Sequence, residues 1–423
     1  MKLKKLAAAL MCVLALSCTL TNLTACSTEI KAADLTRGIT PANVSGKAAD
    51  EHFALSQTDF SLRLFRQSAQ NGGYDNLLVS PLSVALALSM TANGANAGTL
   101  TEMEETLGMP IQELNEYLFT YVKNLPSDKD YKLHIANSLW LKDDGKVQVE
   151  QDFLQTNADY YGANLYKSAF DNQTLTDINN WVKNNTDGMI DRILNDISDD
   201  AFMYIVNALA FDARWMDVYE KQQVRDGIFT AENGTERTVD MMSSTVHEYL
   251  EDGNATGFIK NYEDRKYAFV ALLPNEGMSL SDYLDTLTPE GLQGLLKEPE
   301  IVETVTRLPK FSYEYSIDLK DSLAQMGMPS AFDLNTADFS RLGHDEDPGT
   351  NIYIGRVLHK TFIAVDELGT KAGAATVVEM LNGSAAPAES EIKYVTLDRP
   401  FFYMIIDREN NIPIFMGTVT DIN

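Results

Sequence analysis

The chain has 423 residues, 44% hydrophobic and 22% charged, with 34 Lys and Arg against 61 Asp and Glu for a formal net charge of −27. Such a composition builds a sizeable globular core and excludes a disordered, collagenous or coiled-coil chain. The charge excludes broad attraction to nucleic acid phosphates or anionic lipid.

The chain opens Met1-Lys2-Leu3-Lys4-Lys5, followed by an apolar run from Leu6 to about Ser17. A basic start and an apolar stretch of this length predict a secretory signal, too short to span a bilayer. All three cysteines, Cys12, Cys18 and Cys26, lie at this end. The body beyond them therefore has no disulfide, no cysteine metal site and no thiol nucleophile. Leu23-Thr24-Ala25-Cys26 resembles the bacterial lipobox. That resemblance implies a signal peptide over residues 1–25, lipidation at Cys26, and an extracellular body, either held at the cell surface or secreted. Residues 26–50 are polar with small residues and one proline, and read as a linker.

From residue 51 to 423 no repeat, low-complexity stretch or second linker appears, which predicts one large unit of mixed α and β structure. Phe53, Leu55, Phe60, Leu62, Leu64 and Phe65 fall at helical spacing over Phe53–Ala69. Ser80-Pro81 reads as a capped helix start, and Val84–Met90 continues as a buried helix closed by Asn93-Gly94. Thr101–Leu107 reads as a short acidic helix. Tyr131–Leu141, Met203–Phe211 and Tyr267–Leu273 read as strands. Phe401–Ile406 and Ile412–Thr420 flank the polar run Asp407–Asn411, a hairpin pattern. Before this hairpin, Gly369 to Thr376 is almost entirely small residues, and 382–391 is mostly Gly, Ser, Ala, Pro and Glu, the composition of an exposed loop.

Enzyme chemistry finds no foothold. The five histidines (His52, His134, His247, His344 and His359) include no pair at metal-ligand spacing, and no nucleophile elbow, phosphate-cradling loop or dinucleotide fingerprint occurs. No metal, cofactor or catalytic residue is predicted, and the acidic run beside His344 reads as a solvated loop.

Six separated segments together resemble the serpin family, in order and across the whole body. They are Asn76–Ser83; Val206–Trp215; Val239-Asp240-Met241-Met242; Leu308-Pro309-Lys310-Phe311 with Ala337–Ser340; His359–Phe362 with Val365–Thr376; and Asp398–Phe402 with Ile414–Gly417. The resemblance implies an α+β serpin fold, with three β-sheets, eight to nine helices and an exposed reactive-centre loop. It implies suicide inhibition of a serine protease, the loop serving as bait and then inserting as a new strand in the largest sheet. A non-inhibitory member acting as a binding or carrier protein is the alternative. The partner implied is a target protease held as a covalent acyl complex, with a monomeric chain, no nucleic acid, and membrane contact only through Cys26.

The hinge that must enter the sheet corresponds to Glu367, Gly369, Thr370, Ala372, Gly373, Ala374, Ala375 and Thr376. Small side chains suit a strand that has to slide between two others. Thr370, Ala372, Ala374 and Thr376 share one face and Lys371 the other. Lys371 and Leu368 depart from the family pattern, as does Asp212 where a lysine is usual. The residues that control sheet opening correspond to Ser80, Ser83, Asn207 and His359, with Trp215 beneath the sheet's upper end. Family spacing from Glu367 falls on Gly383-Ser384 as the reactive bond, with Met380, Leu381 and Ala385 as alternatives in a loop several residues longer than usual. None is basic, which disfavours a trypsin-like target and favours an elastase-like or subtilisin-like one.

Overall fold

The computed structural model describes residues 29–422 apart from 74, 126–130, 144, 199–200, 348–349 and 371–390. Among these residues there are nine α-helices and three sheets, as the resemblance implies.

The helices follow from their caps and apolar stripes. Helix α1 (Glu51–Gly72) starts where the Asp50 carboxylate accepts from the Phe53 amide, and turns Phe53, Phe60 and Leu64 into the core. Helix α2 (Pro81–Ala92) has Ser80 at its cap and proline at its first position. It is apolar on every side and buried throughout, so it sits in the centre of the molecule. Helices α3 (Ala97–Leu107), α4 (Ile111–Asn124) and α5 (Gln151–Tyr161) pack around it, and α6 (Asn172–Asn185) covers the outer face of the first sheet. Helices α7 (Leu280–Thr286), α8 (Pro289–Lys297) and α9 (Lys320–Met326) complete the set.

The first sheet has seven strands. In spatial order they are β1 (Ala33–Asp34), β5 (Asn164–Ser168), β3 (Tyr131–Lys142), β6 (Met203–Arg214), β15 (Gly369–Thr370), β14 (Ile354–Val365) and β12 (Phe311–Asp318). The second has nine: β16 (Ile392–Thr396), β11 (Glu300–Pro309), β8 (Glu236–Glu251), β9 (Ala255–Asn261), β10 (Tyr267–Pro274), β17 (Phe401–Asp407), β18 (Pro413–Val419) and β2 (Leu78–Val79), with β7 (Val224–Thr230) on β8. A small pair, β4 (Val147–Val149) and β13 (Gly343–Asp345), forms the third. Strands β10, β17 and β18 are buried at every residue, hence their unbroken apolar runs.

One expectation changes. Residues 29–50, read within a linker, lie against the body. Ala33-Asp34 pairs with Tyr166-Lys167, the amides of Lys31 and Ala32 donate to the Asp177 carboxylate at 3.0 and 2.8 Å, and Ala42 donates to Asp159. The segment is held by its backbone and by scattered apolar side chains, with Leu35, Ile39 and Ala49 packed on one core cluster and Ile30 and Ala32 on another, whose irregular spacing makes no stripe in the sequence.

Candidate functional site

The seam of the first sheet runs between β6 and β14. These strands pair directly and in parallel from Met203 with Ile354 to Leu209 with Thr361. Above that point they separate, and β15 stands between them: Gly369 pairs with Arg214, and Thr370 pairs with Ala213 on one side and Val365 on the other. The first two small residues of the hinge are therefore already inside the sheet. A Cβ at Gly369 would lie 2.1 Å from the Ala213 carbonyl oxygen and 2.8 Å from the Arg214 Cα. Close approach of two strands, not an unusual φ, is what requires glycine there.

Thr370 is 1% exposed, and its hydroxyl shares a 2.5 Å hydrogen bond with that of Tyr262. Tyr262 stacks on Trp215 at 4.5 Å with an interplanar angle of 9°. The Trp215 indole donates to the Asp366 carbonyl at 2.9 Å, and its amide donates to the Leu368 carbonyl. The turn before the hinge is closed by the Asp366 carboxylate, which accepts from the amides of Leu368 and Gly369. Glu367 pairs with Lys310 at 2.8 Å, and that partner holds its carboxyl below the ordinary range. Under the aromatic stack lies Lys260, 2% exposed, its ammonium donating to the Asp217 carbonyl and facing the Trp215 and Tyr219 rings. Burial pushes its pKa down to about 8.

Ser80, Ser83, Asn207 and His359 meet below, at the level where the seam is closed. All four are fully buried. His359 Nε2 accepts from the Ser80 amide at 3.0 Å, which leaves the ring proton on Nδ1 to be donated to Asn207 Oδ1. Burial pushes the imidazole pKa down to about 3, so the ring is neutral. Asn207 Nδ2 donates to Ser83 Oγ and to Asn137 Oδ1, each at 2.6 Å. Ser80 Oγ also caps α2 by accepting from the Ser83 amide. One imidazole thus joins β14 to β6 across the seam and both to α2, with every buried polar atom of its ring used.

Trp215 stands apart from this cluster, at the hinge. Of the other hinge residues, Glu367 also belongs to the described part; Ala372, Gly373, Ala374, Ala375 and Thr376 lie outside it, as do Gly383, Ser384, Met380, Leu381, Ala385 and Cys26. The sequence reading missed Asn137, Tyr262 and Lys260. Asn137 had a visible signal: it is a polar residue inside an apolar strand, like Asn207. The register sets Asn137, Asn207 and His359 side by side in one rung across β3, β6 and β14. Tyr262 and Lys260 gave no signal, because only the fold brings them under Thr370.

Comparison with known proteins points one way. A family model described as Serpin (serine protease inhibitor) matches residues 55–422. An uncharacterized serpin-like protein of Thermococcus kodakarensis is 30% identical over 366 residues, covering 85% of this chain and 83% of its own length. The crystal structure of tengpin, a thermophilic serpin, in its native state superposes with a TM-score of 0.88 at 47% identity, covering 93% of this chain and all of that one. Tengpin in its latent state gives 0.78 at the same identity, covering 89% of this chain and all of that one. Thyroxine-binding globulin in complex with thyroxine gives 0.76 at 25% identity, covering 88% of this chain and 99% of that one.

Proposed function

The chain belongs to the serpin family, and from that premise we propose that it inhibits serine proteases by a covalent suicide mechanism. The observation that carries the proposal is β15: the hinge is seated between two strands that below it are still paired, so a site for a further strand is begun and not filled. The protease serine oxygen attacks the carbonyl carbon of the bait residue. The peptide bond breaks, the new amine leaves with a proton from the protease, and an acyl ester remains. Release of the loop from its far end lets the residues after Thr370 continue as a strand between β6 and β14, carrying the acylated protease with them. Small residues after Thr370 keep that insertion fast relative to ester hydrolysis. The apolar and small residues around Gly383-Ser384 direct the bait to elastase-like or subtilisin-like proteases.

The test is incubation of the chain with pancreatic elastase and with subtilisin. A complex that survives SDS, with the cut mapped by mass spectrometry within 380–385, is the expected result. Stoichiometric loop cleavage without a complex would overturn the proposal. It would favour the carrier reading, for which the likeness to a thyroxine-binding member is the supporting observation.

We also propose that the mature chain begins at Cys26 and holds the body outside the cell on a lipid. Expressed with its leader in a bacterial host, it should partition into detergent and lose that property on Cys26→Ala. Equal partitioning of both forms would contradict the anchor.

A further inference from the structure

Lys260 stands in the buried part of β9, directly opposite Phe269 of β10. A methionine would fill the same space without taking a charge out of water, so a lysine there is costly. Its ammonium is held by a neutral carbonyl and two rings. It donates to the Asp217 carbonyl at 3.0 Å and lies 4.4 Å from the centre of the Tyr219 ring and 5.4 Å from that of Trp215. All three contacts fall on one short segment, residues 215–219.

That segment carries the turn before the hinge. The Trp215 amide donates to the Leu368 carbonyl, the Trp215 indole to the Asp366 carbonyl and the Tyr219 amide to the Glu367 carbonyl, each at 2.9 Å. The same indole stacks on Tyr262, which holds the Thr370 hydroxyl. The hinge is thus hung on a segment whose underside rests on one ammonium. The charged form attracts both ring faces and makes a strong bond to the carbonyl; the neutral amine loses the first and weakens the second. Burial brings that change to about pH 8, while the exposed Asp217 carboxylate favours the charged form. The other titratable groups on the packed elements are accounted for. Burial pushes the Tyr219 and Tyr262 phenols up, so both stay neutral. The Asp366 carboxylate accepts from the Leu368 and Gly369 amides, Glu367 pairs with Lys310, and Glu248 of β8 pairs with Arg408. His247 of β8 is exposed, and β10 faces the lysine with Phe269, with Tyr267 further along.

We propose that Lys260 is a positioning residue for loop insertion, its ammonium locking residues 215–219, and through them the turn at 366–369, in the orientation from which the chain beyond Thr370 enters between β6 and β14. When the proton leaves, the lock slackens, entry slows, and more of the acyl ester is hydrolysed before the protease is trapped. The positioning role rests on the insertion reading above; the lock itself does not. Stability runs the other way. The folded chain gives up this proton more readily than the unfolded one, whose lysine titrates near its ordinary 10.5. The cost of the buried charge is therefore complete below about pH 8 and is relieved as pH rises from there toward 10.5. A weakening hinge in a chain that is gaining stability cannot be mistaken for general loss of the fold.

The test compares the full chain with Lys260→Met between pH 7 and 9.5, by two readouts. Tryptophan fluorescence needs no protease. It should titrate in the wild type with a midpoint near 8, because Trp215 faces the ammonium, and stay flat in Lys260→Met. Superposable fluorescence profiles would overturn the lock. The second readout is the inhibitor consumed per elastase molecule trapped. At pH 7 Lys260→Met should consume roughly threefold more than the wild type, and the wild type should climb to the variant's value by pH 9. Parallel profiles in the two proteins would overturn the positioning role. Absence of any trapped complex in either protein would overturn the inhibition reading and the positioning role with it, and fluorescence alone would then judge the lock. Circular dichroism confirms the fold of the variant. If Lys260→Met does not fold, Lys260→Gln, which keeps a donor for the Asp217 carbonyl without the charge, takes its place with the same expected results.

Discussion

His359 concentrates the chemistry of the seam in one ring. Its fold requires the neutral form, with Nε2 accepting from a backbone amide that cannot reverse its role. In the unfolded chain the imidazole titrates near its ordinary 6.5, and in the fold burial pushes it down to about 3. Between these values the unfolded chain binds the extra proton, so the stability contributed by the neutral ring is complete above pH 6.5 and falls as pH drops toward 3. The slope is at most about 1.4 kcal/mol per pH unit, one proton's worth. Urea unfolding between pH 7 and 4 should show this loss, and His359→Asn should flatten it; equal slopes in the two proteins would remove His359 from the account.

At the hinge the governing quantity is space. Thr370→Arg places a long cation where a 1% exposed hydroxyl now meets Tyr262. Gly369→Val puts a side chain into the Ala213 carbonyl. Both should expel β15 and turn an inhibitor into a substrate, raising by at least about tenfold the inhibitor consumed per protease trapped, since insertion then loses the kinetic contest with deacylation. Inhibition at unchanged stoichiometry would contradict insertion through this end of the seam.

At the scale of elements, most of the architecture could be read directly. Helix α1 announced itself through the helical spacing of Phe53, Phe60 and Leu64, helix α2 through Ser80 and Pro81, and strands β3, β6, β10, β17 and β18 through segments rich in apolar and β-branched residues, because spacing, caps and burial are properties of neighbouring residues. What stayed hidden was set by register and by backbone. Docking of residues 29–50 uses amide donors that every residue but proline has, together with a few apolar side chains too irregularly spaced to mark an element. The place of β15 depends on how far β6 and β14 stay paired, which no local pattern encodes. The same holds within the site: Ser80, Ser83, Asn207 and His359 were legible by resemblance, whereas Tyr262 and Lys260, distant in sequence from the hinge, meet it only through β6, β9 and the turn at Asp366. Gly369 was read as one of a run of small residues, and the register shows why glycine in particular stands there: a Cβ would meet the Ala213 carbonyl.

For the molecule as a whole, the central point is that the chain is folded with one strand site begun and not completed. On the proposed mechanism such a state stores stability, to be released when the loop is cut and the seven-stranded sheet gains its full new member. The closer likeness to native than to latent tengpin agrees with a seam still closed below Leu209. The acidity of the chain is not explained by the proposed mechanism and bears on solubility and on the choice of partners.

Thermal unfolding of the chain before and after a single cut between residues 377 and 391 tests this most directly. A large rise in Tm on cleavage, with both fragments remaining associated, is the predicted result, because residues beyond Thr370 would then fill the seam between β6 and β14. An unchanged or lowered Tm would mean that the hinge seated at Gly369 and Thr370 goes no further, and the account of the molecule as an insertion device would be wrong.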